Sequence, residues 1–409
     1  TIDLRSTNFR DERLWQVTGD GAGAGAITLT ADQSIFVREL EGNLSIRNVL
    51  SRTGDVSLKA HGSILDAVDL SNPLNPTSAE VGVPSSKPGI DITARNIRLE
   101  SLFGGIGEAG NELDINSSYN GSSGTLTIAG SRLDARIIEV LGDLNLDSIS
   151  VGTYAEDPRS ATAYLSAPTG KILNRITTGE FNVLSGKAWL SASDDIGEVG
   201  RSIKTEIGLI EAISTTGSVR ITNHGALQVG GITASTSGIT AGRGVNLYTM
   251  SPLTVDQSIN ADGDIIIQSN DEVGDLDSII IKTGVRLIST TGKIEIIAGD
   301  NLVVESGALL DAFSVIALAA DLRKSYLEDP NLKGHISLLN SELIARNSFI
   351  TLRSSGSSTI QDSKLTGVGI MGTADSNQLQ VLGSSILTSS AALSLAATSG
   401  SLRLDNPSK

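Results

Sequence analysis

The sequence predicts an all-β protein built as a solenoid, in which each turn of the chain lays short strands onto those of the turn before. Three observations lead to this prediction: a Gly-led strand phrase that recurs along the chain, a glycine-rich and aliphatic composition, and no helical periodicity between the strands. The chain has 409 residues, of which 44 are glycine, 39% are hydrophobic and only 3% are aromatic. We therefore expect a core of Ile, Leu, Val and Ala, which suits flat sheets stacked at close range.

The strand phrase consists of a glycine, one further residue, and then apolar residues alternating with polar ones. Side chains of a strand alternate between its two faces, so each copy predicts a turn followed by a short, half-buried strand. Clear copies begin at Gly54, Gly89, Gly124, Gly217, Gly263 and Gly292. A coil of about 25 residues, inside the range of solenoid repeats, would give the chain about 16 turns.

A second phrase, Ile-Gly-Glu-x-Gly, occurs at 106–110 and again further along the chain at 196–200. Two glycines three residues apart around a carboxylate indicate a bend in a backbone conformation that only glycine tolerates. The phrase therefore predicts a repeated tight turn that leads into the next strand.

The pattern along the chain predicts an irregular N-terminal segment or cap over residues 1–24 and a continuous β-helix over 25–409. Loop insertions are expected at 67–89, 152–162 and 320–334, and the first of these contains four of the nine prolines, which cannot continue a central strand. The other two share the motif Tyr-x-Glu-Asp-Pro. Asp-Pro favours a turn, and a repeated surface loop that contacts a partner would look the same. The candidate interaction residues are Tyr154, Glu156, Asp157, Tyr326, Glu328 and Asp329.

The charge balance disfavours several classes of partner. With 31 basic and 46 acidic residues the net charge is −15, so nucleic acid is not expected as a partner, because phosphate binding needs a basic face. No segment approaches the roughly 18 uninterrupted apolar residues of a membrane span, so we expect no membrane insertion. Cysteine is absent, which excludes disulfides and thiolate metal sites.

Catalytic residues are not expected, and the chain is predicted not to be an enzyme. Asp194-Asp195 is the only adjacent aspartate pair, but Gly104-Gly105 occupies the same place in the other copy of the Ile-Gly-Glu phrase, which indicates a turn. The three histidines, His61, His224 and His335, lack the close spacing of metal ligands.

Two acidic turns are candidates for structural calcium, and no other cofactor is expected. Ca²⁺ prefers several hard oxygen ligands close together, and such residues cluster in two stretches of the sequence. The candidate ligands are Asp262, Asp264, Asp271, Glu272, Asp275 and Asp277. Turns that use Asp and Gly for backbone reasons would have the same composition.

These phrases together resemble the repeats of giant bacterial secreted β-strand-repeat surface proteins, the filamentous-haemagglutinin-like adhesins. The resemblance rests on the run 54–66, the Ile-Gly-Glu-x-Gly turns, the run 217–232 and the closing series 292–311. It implies a right-handed parallel β-helix, export to the cell surface or the extracellular space, and a role as a stalk or adhesive shaft. It brings no catalytic residues to this chain.

The function expected from the sequence is therefore a structural β-helical shaft segment of a bacterial adhesin. Its expected partners are neighbouring repeats of a longer chain or like subunits, and cell-surface or matrix glycans or proteins. Two alternatives stay open: a self-assembling extracellular filament or sheath subunit, and a polysaccharide-degrading lyase or glycosidase.

Overall fold

The computed structural model is all-β, and its parallel strands stack in about 14 turns to form a β-solenoid. This confirms the fold class predicted from the recurring strand phrase. The structure describes residues 2–5, 15–17, 26–67, 89–121, 123–153, 155, 160–177, 179–234, 237–270, 277–321, 333–375 and 378–405. The strands fall into two compact units, Thr1–Gly208 and Leu209–Lys409, which are called unit 1 and unit 2.

The solenoid has fewer turns than the about 16 expected from the sequence, because the number of residues in a turn varies along the chain. Val245 pairs with Ile265 across a short turn that contains no insertion. The register partner of Val56 is Ile97, which lies beyond the proline-rich insertion, so that turn is much longer. A mean coil length taken from the shorter repeats therefore overestimates the number of turns.

The described part of unit 1 contains short strands and a 3₁₀ turn, Tyr119–Gly121. Its strands are β1 (Ile2–Arg5), β2 (Trp15–Val17), β3 (Ala26–Ala31), β4 (Ile35–Glu39), β5 (Leu44–Ser51), β6 (Val56–Ala60), β7 (Ile64–Asp66), β8 (Ile92–Thr93), β9 (Ile97–Ser101), β10 (Leu113–Asn116), β11 (Leu126–Ser131), β12 (Ala135–Glu139), β13 (Leu144–Ser150), β14 (Thr162–Ala167), β15 (Ile172–Asn174), β16 (Val183–Leu184), β17 (Lys187–Ala192) and β18 (Ile203–Glu206).

Two parallel ladders organise most of unit 1. One runs through β2, β4, β6, β9, β11 and β13, and the other through β10, β12, β14 and β17. Within residues 1–24, β1 and β2 pair in parallel with β3 and β4. Of the predicted insertions at 67–89, 152–162 and 320–334, residues 68–88, 154, 156–159 and 322–332 lie outside the described residues.

Unit 2 is more regular. Its strands are β19 (Leu209–Ser214), β20 (Val219–Asn223), β21 (Leu227–Val229), β22 (Ser237–Ala241), β23 (Val245–Thr249), β24 (Leu253–Val255), β25 (Ser258–Ala261), β26 (Ile265–Ser269), β27 (Ile279–Ile281), β28 (Arg286–Ser289), β29 (Ile294–Ala298), β30 (Leu302–Val304), β31 (Leu309–Ala312), β32 (Ile316–Ala320), β33 (Ile336–Leu339), β34 (Glu342–Ala345), β35 (Phe349–Ser354), β36 (Ser358–Gln361), β37 (Lys364–Ala374), β38 (Leu379–Leu382), β39 (Ile386–Ala397) and β40 (Leu402–Leu404).

Three parallel ladders run through unit 2, so a full turn contributes one strand to each. They contain β20-β23-β26-β29-β32-β35, β21-β24-β27-β30-β33-β36 and β22-β25-β28-β31-β34. Aliphatic side chains of consecutive turns stack in register inside each ladder, as Val245, Ile265, Ile294 and Ile316 do, and all four are almost fully buried. Burial of apolar area at about 25 cal/mol per Å² makes such columns the main source of stability.

The glycine of the strand phrase is required where neighbouring turns approach each other closely. A Cβ atom built on Gly124 would lie 1.3 Å from the carbonyl oxygen of Arg95, in the preceding turn. Gly89 also begins a copy of the phrase, but a Cβ there would meet nothing closer than an Asp114 oxygen at 4.0 Å. The repeated glycine therefore marks a corner, and its importance depends on how tightly that corner packs.

The Ile-Gly-Glu-x-Gly turns project as tight hairpins. Gly107 and Gly110 have φ angles of +65° and +78°, and Glu108 and Asn111 close the turn with an antiparallel bridge. The second copy repeats this arrangement, with a bridge between Glu198 and Arg201. The prediction of a bend that needs glycine is confirmed, because both glycines adopt the left-handed region that other residues avoid.

Candidate interaction surface

The calcium candidates in the described residues lie at corners of the solenoid. Asp264 accepts the backbone N–H of Lys293, one turn further on, at 3.0 Å. Asp262 accepts the hydroxyl of Thr290 at 3.0 Å. Asp277 is buried and lies at the other end of β26, where its carbonyl oxygen accepts the hydroxyl of Ser269. Asp262 and Asp264 are thus separated from Asp277 by a strand of roughly 16 Å.

The other calcium candidates, Asp271, Glu272 and Asp275, lie outside the described residues. Within the ranges that the structure describes, no group of three or more His, Asp or Glu side chains is arranged to hold a metal ion. Calcium binding stays a prediction. The backbone role of Asp264 recurs at Asp55 and Asp143, since both accept an N–H one turn further on, from Asn96 and Lys171.

The interaction residues of the Tyr-x-Glu-Asp-Pro loops, Tyr154, Glu156, Asp157, Tyr326, Glu328 and Asp329, all lie outside the described residues. The described flank of the first loop is fixed to the solenoid, because the N–H groups of Gly152 and Thr153 donate to the carbonyl oxygen of Ser131 at 2.7 and 3.1 Å. The loops stay candidates for partner contact.

The Asp194-Asp195 pair is linked to a lysine. Lys171 Nζ lies 3.6 Å from Asp194 and 3.3 Å from Asp195. The hydrogen bond to Asp195, aided by the charges of both aspartates, raises the pKa of Lys171. In the hairpin that follows, the hydrogen bond from Arg175 lowers the pKa of Glu198. The acidic groups of this region are engaged in ion pairs, which fits the prediction of a turn.

Two of the histidines take part in contacts between turns. His61 packs against Phe103 with ring centroids 4.6 Å apart, and Phe103 is 56% exposed. His335 Nδ1 accepts the backbone N–H of Ser357 at 2.9 Å, one turn further on. Each of these histidines therefore has a contact between turns within its own unit.

Two of the buried carboxyl groups of unit 1, Glu139 and Asp91, have raised pKa values. Burial raises the pKa of Glu139 to about 8, although Ser117 donates its backbone N–H and hydroxyl to the carboxyl. Burial, together with the neighbouring Asp66, raises the pKa of Asp91 well above its usual range. Their partners are backbone and side-chain groups of adjacent turns, so these carboxyls hold the solenoid together from inside.

An aromatic column on the outer face of unit 1 is the most distinctive surface feature. Arg136 of β12, Tyr164 of β14 and Trp189 of β17 are paired in register on three successive turns. The Arg136 guanidinium carbon lies 3.6 Å from the centre of the Tyr164 ring. The rings of Tyr164 and Trp189 are 6.3 Å apart and tilted by 44°. Both distances lie in the range of favourable cation–π and aromatic contacts.

Polar groups without protein partners flank this column. Ser166 and Ser191 form a register pair on one side, and Lys187 lies on the other. All three are partly exposed, and their side chains make no hydrogen bond or ion pair within the part of the chain that the structure describes. The Tyr164 hydroxyl and the Trp189 indole N–H are likewise without a partner among the described residues.

The column was not predicted from the sequence, although a signal for it was present. Arg136, Tyr164 and Trp189 occupy the same register position on consecutive turns, so their separations along the chain are the lengths of two turns. A search for aromatic residues separated by about one turn would have selected Tyr164 and Trp189 from the seven tyrosines and tryptophans of the chain.

No protein-family model, curated protein or solved structure matches this chain significantly. In the described ranges, no helix has the length and apolar character needed to span a bilayer. Function therefore has to be inferred from the fold and from the residues on its surface.

Proposed function

We propose that the chain is a structural, non-catalytic β-solenoid shaft of a large bacterial cell-surface or secreted adhesin, which presents loops and outer faces for contact with cells or matrix. The observation that carries this proposal is the in-register stacking of aliphatic side chains from turn to turn. Such a stack supplies a stiff scaffold whose outer surface repeats along it, and repeated weak contacts give avidity without a pocket.

The state of the polar residues supports a non-catalytic role. Catalytic pairs need groups that meet a substrate. Asp194 and Asp195 are ion-paired with Lys171, and Glu139 is buried and bonded to Ser117. These described carboxyls are engaged in contacts between turns, which is the role expected in a scaffold.

A self-assembling filament or sheath is the second candidate function, and one observation favours it. In the outermost described turn of unit 2, apolar side chains at inward positions are exposed: Leu393 is 53% exposed, whereas its register partner Ile370 is fully buried. Leu402 is 45% exposed beside buried Leu379. Such a face is a surface on which a further turn of parallel strands, from the same chain or from a second copy, would stack.

Electron microscopy of the purified 409-residue chain tests both proposals. A shaft predicts isolated, stiff particles at all concentrations, whereas assembly predicts filaments that lengthen as concentration rises. Attachment of beads coated with the chain to cultured cells then tests adhesion, with beads coated with serum albumin as the control. Globular particles without attachment would contradict both proposals, and release of new reducing or unsaturated ends from uronic-acid polysaccharides would favour the enzyme instead.

A further inference from the structure

We propose that the aromatic column of unit 1 is a binding site for a neutral pyranose glycan, whose apolar C–H groups pack against the exposed parts of Trp189 and Tyr164. This deepens the proposed adhesive role and relies on it for biological meaning, but the binding itself is a property of the purified chain. The chemistry that recognises the glycan is a pair of partly exposed aromatic side chains with hydroxyl and cationic groups beside them.

The position of the two rings is not explained by packing of the core. The interior of the solenoid consists of Ile, Leu, Val and Ala, and the chain contains only two tryptophans and five tyrosines. Yet Tyr164 and Trp189 lie next to each other on the outer face, partly exposed. Aromatic side chains on a surface offer a large rigid contact area with little loss of conformational entropy on binding.

Hydrogen-bonding groups surround the rings where a sugar would present its hydroxyls. Ser166, Ser191 and Lys187 have no partners within the described residues, and neither do the polar atoms of the two aromatic residues. A pyranose has apolar C–H faces and a rim of hydroxyls, so its C–H groups can contact the exposed parts of the rings while its rim meets these polar groups. The hydroxyls of the ligand lose water on binding, and these protein groups would replace it as hydrogen-bond partners. A purely apolar ligand could not form such hydrogen bonds.

The spacing along the column suits a chain of sugars. Successive strands of a ladder lie about 4.8 Å apart, which is comparable to the width of one pyranose ring. An extended glycan lying along the solenoid would therefore present successive rings to Arg136, Tyr164 and Trp189 in turn.

Electrostatics favours a neutral glycan over a charged one. Arg136 is compensated by Asp134, whose carboxylate accepts a hydrogen bond from it at 3.4 Å, so Lys187 is the cation left uncompensated among the described residues of this surface. The whole chain carries a net charge of −15, which repels a polyanion.

A tyrosine of unit 2 serves as a matched control. Tyr248 also lies on an outer strand face and is partly exposed, but its hydroxyl donates to Asn270 at 2.9 Å and its register partner in the next turn is Gln268. These contacts give Tyr248 a structural role. The Tyr248→Ala variant should therefore leave glycan binding unchanged.

The test is isothermal titration calorimetry and saturation-transfer NMR on the full chain with cellohexaose, chitohexaose and mannohexaose, and with a sulfated heparin hexasaccharide as the charged comparison. We expect at least one neutral hexasaccharide to bind. Trp189→Ala and Tyr164→Ala should each weaken that binding roughly tenfold, whereas Trp189→Phe, which keeps a ring, should weaken it less. Ser191→Ala provides a variant that preserves both rings and the fold, and it should weaken binding by roughly threefold.

The proposal is overturned if no neutral hexasaccharide binds, if the sulfated one binds in their place, or if the ring variants bind as tightly as the parent. Circular dichroism melting of each variant shows whether it folds. Failure of glycan binding would leave the microscopy result for the shaft intact, so the two proposals can fail separately.

Discussion

Replacing Glu139 by glutamine should change the pH dependence of stability in unit 1. Glu139 ends β12 on the inward face, where it follows Ala135 and Ile137, and it is fully buried. Its carboxyl oxygens accept the backbone N–H of Ser117 at 2.9 and 3.1 Å and the hydroxyl of Ser117 at 2.6 Å. Glutamine keeps a carbonyl oxygen for the Ser117 N–H but has no proton to lose.

The sign of the effect follows from the raised pKa. The pKa of Glu139 rises from 4.5 in the unfolded chain to about 8 in the folded chain, because burial disfavours the carboxylate. Between these values the folded chain holds a proton that the unfolded chain has lost, so the free energy of unfolding falls as pH rises through this window. At about 1.4 kcal/mol per pH unit, the loss approaches about 5 kcal/mol at pH 8 as an upper limit.

The change in the free energy of unfolding can be measured locally by hydrogen exchange with mass spectrometry. The reporter is a peptide covering 113–117, and the rates are corrected for the intrinsic pH dependence of exchange. In the parent, protection should fall from pH 5 to pH 8. In Glu139→Gln it should fall less and exceed the parent at pH 8, and the remaining fall comes from Asp91, whose pKa is also raised and whose carboxyl accepts the Asp114 N–H of the same peptide. Glu198→Gln is the control of opposite sign: the hydrogen bond from Arg175 lowers the pKa of Glu198, so its small contribution is present above pH 4.5 and is lost at lower pH. Constant or rising protection in the parent between pH 5 and 8 would refute the reasoning.

Three further predictions concern the corners and the edge. Gly124→Ala should lower the melting temperature strongly or prevent folding, because its Cβ would overlap the Arg95 carbonyl. Gly89→Ala should leave the melting temperature nearly unchanged. Thermal melts compare the two variants, and equal effects would contradict the account of close packing. Asp264→Ala should weaken protection of the Lys293 amide against hydrogen exchange by about 1–2 kcal/mol, because it removes the acceptor of that amide. The effect should be the same with and without a calcium chelator. An effect seen only with calcium present would instead support the calcium site. Leu393→Lys should reduce concentration-dependent association in analytical ultracentrifugation, and unchanged association would remove this edge as its cause.

Strand positions could be predicted from the sequence because they depend on local alternation. The copy at Gly124 reads Thr-Leu-Thr-Ile, and the structure places β11 at Leu126–Ser131 with Leu126 and Ile128 buried. Alternation also places Glu139 on the inward face of β12, since it follows Ala135 and Ile137 at spacings of two. A buried carboxyl could therefore have been identified from the sequence.

Contacts between turns could not be predicted in the same way. Which residues lie side by side depends on the length of every loop between them, and these lengths vary from turn to turn. The register partners Arg136 and Tyr164 lie further apart along the chain than Val245 and Ile265 do, so no single period brings all partners together. The pair Tyr164 and Trp189 could have been found from its spacing of one turn, but the alignment of Arg136 with this pair needed the register of the structure.

The recurring glycine and the aspartate that often follows it have separate physical roles at the same corner. The glycine admits the backbone of a neighbouring turn, as at Gly124, while the aspartate accepts an N–H of the next turn, as Asp55, Asp143 and Asp264 do. A carboxylate at such a corner satisfies a backbone donor that an apolar residue would leave unpaired. Repeating this device along a solenoid adds negative charge with each use, which accounts for part of the acidic composition. An acidic solenoid repels nucleic acid and anionic surfaces alike, so the proposed contact through aromatic rings and uncharged hydroxyls is the mode of binding most compatible with its charge.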